Sequence, residues 1–254
     1  MSSSESEFEK PSLPSRLEIC GDGDECIIIA GHKYYRHELY RALSGSFQAE
    51  HLAVPPTHQF GNPTAFSLGS YFVTTFTAGL FLVNAGNVEI PNVVYAGCMF
   101  CNGVYLFLGG VWEFFLGNTF GCTSLISYGA YWFAFGATYI PAFGIIDAYK
   151  DEPDQFENAM GIWFTAWAIY TTMLWMCTFK STVDLCAFFG FLNISIIFSA
   201  ASHFMQSHTL QVVAGVFCMF TALSAFYMML SCAATSTNTY LRFPAVDMPI
   251  WGKN

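Results

Sequence analysis

Between residues 62 and 235 the chain carries only two basic side chains, Lys150 and Lys180. Eight acids share that stretch, and five of them crowd into a short segment: Asp147, Asp151, Glu152, Asp154 and Glu157. The remainder is almost free of charge. A soluble domain is roughly a quarter charged, whereas this chain is 11% charged and 54% hydrophobic. That balance excludes a soluble globular enzyme and a disordered chain. It points to one membrane domain with polar tails. Nine Lys+Arg against eighteen Asp+Glu give a net charge of −9, which excludes a nucleic-acid partner.

A helix needs about 20 mostly apolar residues to cross a bilayer. Six stretches qualify: 63–85, 93–115, 121–141, 159–179, 184–203 and 209–233. Polar or turn-forming residues separate them. Pro91-Asn92 divides the first two, Gly117 to Gly121 the next, and the acidic run Asp147 to Asn158 the next. Lys180-Ser181 and then His203 to His208 mark the last two breaks. With the N-terminus inside, eight Lys/Arg fall on the inner side and only Lys150 on the outer side. The positive-inside rule therefore places both termini in the cytosol. The predicted fold class is an all-α membrane protein of six transmembrane helices. Its parts are a disordered cytosolic tail (1–20), a cytosolic or interfacial segment (21–61), a transmembrane transport domain (62–235) and a cytosolic C-terminal tail (236–254).

The first residues, MSSSESEFEKPSLPS, lack a basic region followed by an apolar run, so they do not read as a secretory signal. The first span is expected to serve as an uncleaved anchor. Within 17–45, Tyr34, Tyr35, Arg36, Tyr40 and Arg41 suit either an interfacial helix on acidic lipid or a solvated linker.

Asn62-Pro63 is a strong helix start, because Asn caps and Pro suits the first helical position. The exposed N–H groups there either are simply capped or attract a carboxylate. The same span carries Ser67, Ser70, Thr74, Thr75, Thr77 and Asn84. These bond back to their own helix, glue helices together or line a polar path. Glu113 ends the second span, where it snorkels to the interface, accepts a proton or holds Asn118 and Thr119. Lys180 and Asp184 anchor the start of the fifth span, while His203 and His208 at its outer end are candidates for sensing external pH. Seven of the nine cysteines lie in or beside apolar runs and read as small buried hydrophobes. Cys98 and Cys101 form a CxxC without a second pair, so no metal site is expected. No nucleotide, dinucleotide, zinc-protease or serine-hydrolase motif occurs. No cofactor and no enzyme activity are expected.

Three stretches resemble the acetate/succinate transporter family (YaaH/SatP in bacteria, Ato in yeasts). Asn62-Pro63-Thr64-Ala65-Phe66-Ser67-Leu68 is similar to the NPAPLGL signature, with the second Pro and the Gly lost and Phe66 in place of Leu. Trp112-Glu113, then Gly117-Asn118-Thr119-Phe120-Gly121, Thr123 and Ser127-Tyr128-Gly129, match the E…GNTFG-x-T…SYG block. Phe179 to Val183 resembles the link between spans four and five. Pro91 to Val94 and Tyr139 to Pro141 resemble the fungal branch. The likeness runs from about residue 25 to 242.

The resemblance implies a six-helix protomer in a plasma-membrane homo-hexamer. It implies movement of acetate and related monocarboxylates, coupled to protons or channel-like, and ties the yeast members to ammonium export. A three-residue constriction falls on Tyr71, Tyr128 and Leu192, with Tyr71 where Phe is expected, a change that adds a hydroxyl and makes the neck wetter. Asn62, Pro63, Phe66, Asn118, Thr119 and Thr123 are the expected solute contacts, and Glu113 the candidate proton relay. Partners are the carboxylate, protons and membrane lipids. The alternatives are ammonia or ammonium export, and a non-transporting membrane sensor or scaffold.

Overall fold

The computed structural model describes residues 18–20, 26–29, 32–35, 61–235 and 238–249. The chain divides into two compact units, Met1–Phe60 and Gly61–Asn254.

In the first unit, β1 (Glu18–Cys20), β2 (Cys26–Ile29) and β3 (His32–Tyr35) form an antiparallel sheet in the order β1-β2-β3. Cys20 pairs with Cys26 and Ile29 with His32. This departs from the all-α expectation and corrects the interfacial helix at Tyr34 and Tyr35, which lie on β3 with their side chains exposed. The reason is local. Ile27, Ile28 and Ile29 are β-branched and stiff, which favours a strand. Arg36, Tyr40 and Arg41 lie outside the described residues.

In the second unit, six long helices follow one another: α1 (Pro63–Leu82), α2 (Asn92–Phe115), α3 (Thr119–Thr138), α4 (Pro153–Met176), α5 (Val183–Met205) and α6 (His208–Ala233). Of these, α1, α2, α5 and α6 are long and apolar enough to cross a membrane. α1 starts at Pro63 because Asn62 caps it, its Oδ1 accepting from the Thr64 N–H at 2.9 Å. α4 starts at Pro153, earlier than the apolar run at 159 suggests. Pro at the first position and Asp154 in the first turn both favour a helix N-terminus, so the acidic segment extends the helix.

α2 packs between α1 and α3, and α1 also packs on α6, α6 on α5, and α5 on α4. α3 and α4 then meet through rings. Tyr131 stacks on Trp163 with centroids 4.8 Å apart, and Tyr128 Oη lies 2.9 Å from Thr171 Oγ1. The result is a closed ring of six helices around a buried core.

Where the backbones approach most closely, glycine permits it. A Cβ on Gly79 of α1 would sit 3.0 Å from the Gly215 carbonyl oxygen of α6, and the reverse contact is also 3.0 Å. Gly117, with φ +76°, ends α2. Its N–H bonds to the Phe114 carbonyl and that of Asn118 to the Glu113 carbonyl, the Schellman pattern that turns the chain directly into α3.

The hydroxyls of α1 serve as glue toward α2. Ser67 Oγ reaches the Tyr105 carbonyl, Ser70 Oγ the Asn102 Oδ1, and Thr74 Oγ1 the Gly97 carbonyl. Thr77, half-buried, bonds back to the Val73 carbonyl. The stretch Gly97–Gly103 of α2 is wound as a π-helix, and Thr74 bonds to the carbonyl of its first residue. Large apolar side chains on the outer faces stay exposed, as with Phe66, Val73 and Leu80 on α1. Their spacing of seven makes one stripe of a helix.

Candidate functional site

The expected site residues fall into two groups at different depths. The first is a knot joining three helix ends. Glu113 at the end of α2 is only 4% exposed. Its Oε1 accepts from Thr64 Oγ1 at 2.6 Å, and its Oε2 accepts from Asn118 Nδ2 at 2.8 Å. One carboxylate thereby ties the start of α1 to the start of α3. Asn118 Oδ1 in turn accepts from the Gly121 N–H at 3.0 Å, capping α3. Both asparagines therefore direct their carbonyl oxygens at helix N–H groups. Pro63 is buried beneath the knot, and its carbonyl accepts from Ser67 Oγ at 3.0 Å. Thr119, Thr123 and Phe66 are exposed. Phe66 stands edge-on to Tyr105, with centroids 6.1 Å apart.

The second group is the neck. Tyr71 (α1), Tyr128 (α3) and Leu192 (α5) are all buried, and all three line one cavity of about 720 Å³. Rings brace them. Phe188 stands edge-on to Tyr71 with centroids 5.2 Å apart, and Trp132 does so at 6.3 Å. Trp167 lies 5.8 Å from Tyr128. The Tyr128 hydroxyl is held by Thr171, fixing that ring's rotation.

The cavity extends from this neck toward Glu89, in the link before α2, and toward the helix ends that carry Asp154, Glu157 and His203. None of Asn62, Phe66, Glu113, Asn118, Thr119 and Thr123 lines it. Its wall is mixed. Thr75, Ser195, Ser199 and Ser202 line it beside the aromatic rings, the three serine hydroxyls donating to the carbonyls of Ala214, Ser195 and Ser199. Such a wall accommodates a small solute with one polar end and one apolar end, as it combines apolar surface with a few placed polar groups.

Two wall features escape a reading of single residues. Trp132 is buried, lines the cavity, and its Nε1–H meets no acceptor among the described residues. A buried unpaired donor is costly, and an acceptor carried by a solute would relieve that cost. Trp132 follows Tyr128 by one helical turn, as Thr75 follows Tyr71, so i, i+4 spacing identifies both once the neck is known. The other feature is a pair. His203 Nδ1 lies 2.6 Å from Glu157 Oε2, joining α5 to α4. The histidine was visible as a candidate in the sequence, but its partner was not.

Residues 43–250 match the GPR1/FUN34/yaaH family. The chain is 36% identical to the ammonia transport outward protein 2 of Saccharomyces cerevisiae, over 98% of this chain and 91% of that one. It is 28% identical to acetate permease A of Emericella nidulans, over 86% and 76%. Among solved structures it resembles the bacterial acetate channel SatP, with a TM-score of 0.61 and 24% identity, covering 68% of this chain and 92% of that one. With its helical ring, this places the chain as a helical membrane protein belonging to the GPR1/FUN34/yaaH family.

Proposed function

We propose that this protein carries acetate and related short-chain monocarboxylates across the plasma membrane, with protons, through the cavity and neck. The carrying observation is that Tyr71, Tyr128 and Leu192, all buried and from three different helices, converge on one cavity. The family and the acetate permease and channel among its relatives support the solute class. A bare carboxylate is strongly disfavoured in an aromatic neck. The solute therefore crosses as the neutral acid, with Tyr71 and Trp132 offering hydrogen bonds on the way.

In this reading all six helices span. α3 and α4 are less apolar than the other four because they supply the polar and aromatic wall. The basic-residue count puts the Asn62–Glu113–Asn118 knot on the cytosolic side and the Glu157–His203 end outside. Asn62, Pro63, Phe66, Asn118, Thr119 and Thr123 then frame the inner mouth, where Glu113 is the candidate acceptor for the released proton. The exposed stripe Phe66–Val73–Leu80 suits lipid or a neighbouring copy in a homo-hexamer.

The test is uptake of labelled acetate in cells lacking other carboxylate carriers, at pH 5 and pH 7, with and without a protonophore. Saturable uptake that the protonophore abolishes supports proton-coupled carriage. Uptake that survives it supports a channel. No uptake by protein correctly placed in the membrane rejects the carboxylate reading. The name of the 36%-identical yeast relative favours a second reading, ammonia export, and methylammonium flux tests it.

A further inference from the structure

We propose that the Glu157–His203 pair is a proton-loading site at the mouth of the path, where an entering carboxylate receives the proton with which it crosses the neck. The proposal rests on the carboxylate reading above and adds a place and a donor.

The geometry carries it. His203 is part-buried on the cavity wall, and its Nδ1 is engaged by Glu157 Oε2 at 2.6 Å. Nε2 is then the ring nitrogen left to meet a solute. The imidazole lies nearly flat on Phe164, with centroids 5.3 Å apart and planes 16° apart. This stacking and the Glu157 contact fix the ring against rotation. Neighbouring groups are also defined. Asp154 on α4 accepts from Gln206 Nε2 at 2.9 Å. Glu89 before α2, Tyr139 after α3 and His208 on α6 line the same cavity. Glu157 is thus the carboxylate in direct contact with the imidazole, while Asp154 and Glu89 line the same cavity.

The step balances. The Nε2–H bond of the imidazolium breaks and an O–H bond forms on the carboxylate. The bond pair stays on the ring nitrogen, and bulk water at the mouth reprotonates the ring. In water the ordinary values for carboxyl and imidazole disfavour this transfer about a hundredfold. Moving the anion toward the apolar neck raises its affinity for the proton, because desolvation penalises the charged form. The transfer therefore becomes favourable along the direction of travel.

A purely structural staple between α4 and α5 would leave the pH profile alone, and this separates the two roles. Labelled acetate uptake is measured from external pH 5 to pH 7.5 for the wild type, His203→Gln and Glu157→Gln. Host background is subtracted and surface protein is quantified for each. His203→Gln keeps a donor for Glu157 but cannot load a proton, so the ratio of uptake at pH 7 to that at pH 5 should fall about fivefold or more. Glu157→Gln removes the carboxylate that holds Nδ1 at 2.6 Å, so its pH profile should also depart from that of the wild type. Variant profiles that overlay a working wild type overturn the proposal and leave the transport reading standing. A wild type with no saturable uptake at any pH overturns the transport reading itself. If His203→Gln fails to reach the membrane, the Glu157→Gln profile alone decides.

Discussion

Tyr128 of α3 and Thr171 of α4 share a buried hydrogen bond of 2.9 Å at the level of the neck. The contact bridges a helix pair that also meets through the stacked rings of Tyr131 and Trp163. Tyr128→Phe should leave the Thr171 hydroxyl buried without this partner, at a cost of about 1–3 kcal/mol. Thermal unfolding in detergent should show a lower midpoint. The double change Tyr128→Phe with Thr171→Val should recover part of the loss, since removing both partners is cheaper than removing one.

The α1–α6 crossing depends on Gly79 and Gly215. A Cβ at Gly79 would fall 2.6 Å from Met219 Cγ and 3.0 Å from backbone oxygen. Met219 can move, but the Gly215 carbonyl cannot without separating the helices. Gly79→Val should therefore cost about 1–3 kcal/mol or more by overpacking, seen as reduced surface protein and a broad, early peak in size-exclusion chromatography. Gly79→Ala should be milder.

Tyr71 places a hydroxyl in a neck otherwise braced by Phe188, Trp132 and Leu192. Tyr71→Phe keeps the ring contacts at 5.2 and 6.3 Å and removes only the polar atom. Protein yield should be unchanged, while the drier neck should favour longer-chain acids. The measurement is the ratio of butyrate to acetate uptake, expected to rise severalfold because each added CH₂ is worth about 0.8 kcal/mol in an apolar site.

Glu113 accepts from two donors on two other helices. Glu113→Gln retains one acceptor and turns an amide toward the other donor, so stability should drop by about 1–3 kcal/mol. pH-dependent uptake that survives in the remaining folded protein would remove the proton role from Glu113 and leave it as the tie between α1 and α3.

Trp132→Phe removes a buried N–H that meets no acceptor among the described residues. The folded state should lose little, because the deleted group was unsatisfied. Acetate KM should rise, as the solute loses a donor, and competition uptake assays at fixed pH would read that change.

Much of the helical unit is legible before any coordinates. Asn62-Pro63 marks the start of α1, and Gly117 with Asn118 marks the turn between α2 and α3, because caps and left-handed turns are local chemistry. The charge-poor stretch imposes helices, since a backbone in lipid must satisfy its own hydrogen bonds. The strands at 18–20, 26–29 and 32–35 are not legible in the sequence, because strands of three or four residues carry almost no periodicity and their partners are set by pairing. The start of α4 escaped because its first turns are polar, so the apolar run begins later than the helix.

What the sequence alone determined is therefore what neighbours in the chain control: where helices begin and end, and that long apolar segments bundle together. What the tertiary structure decided is partnership. Whether Ser67, Ser70 and Thr74 face a path or another helix depends on how α1 is rotated against α2. Whether Glu113 meets Thr64, and His203 meets Glu157, depends on which ends of which helices the ring closure brings together. Those choices are made by packing between segments far apart in sequence, where glycine backbones at Gly79 and Gly215 let two helices touch and the rings of Tyr131 and Trp163 fill the space between two others.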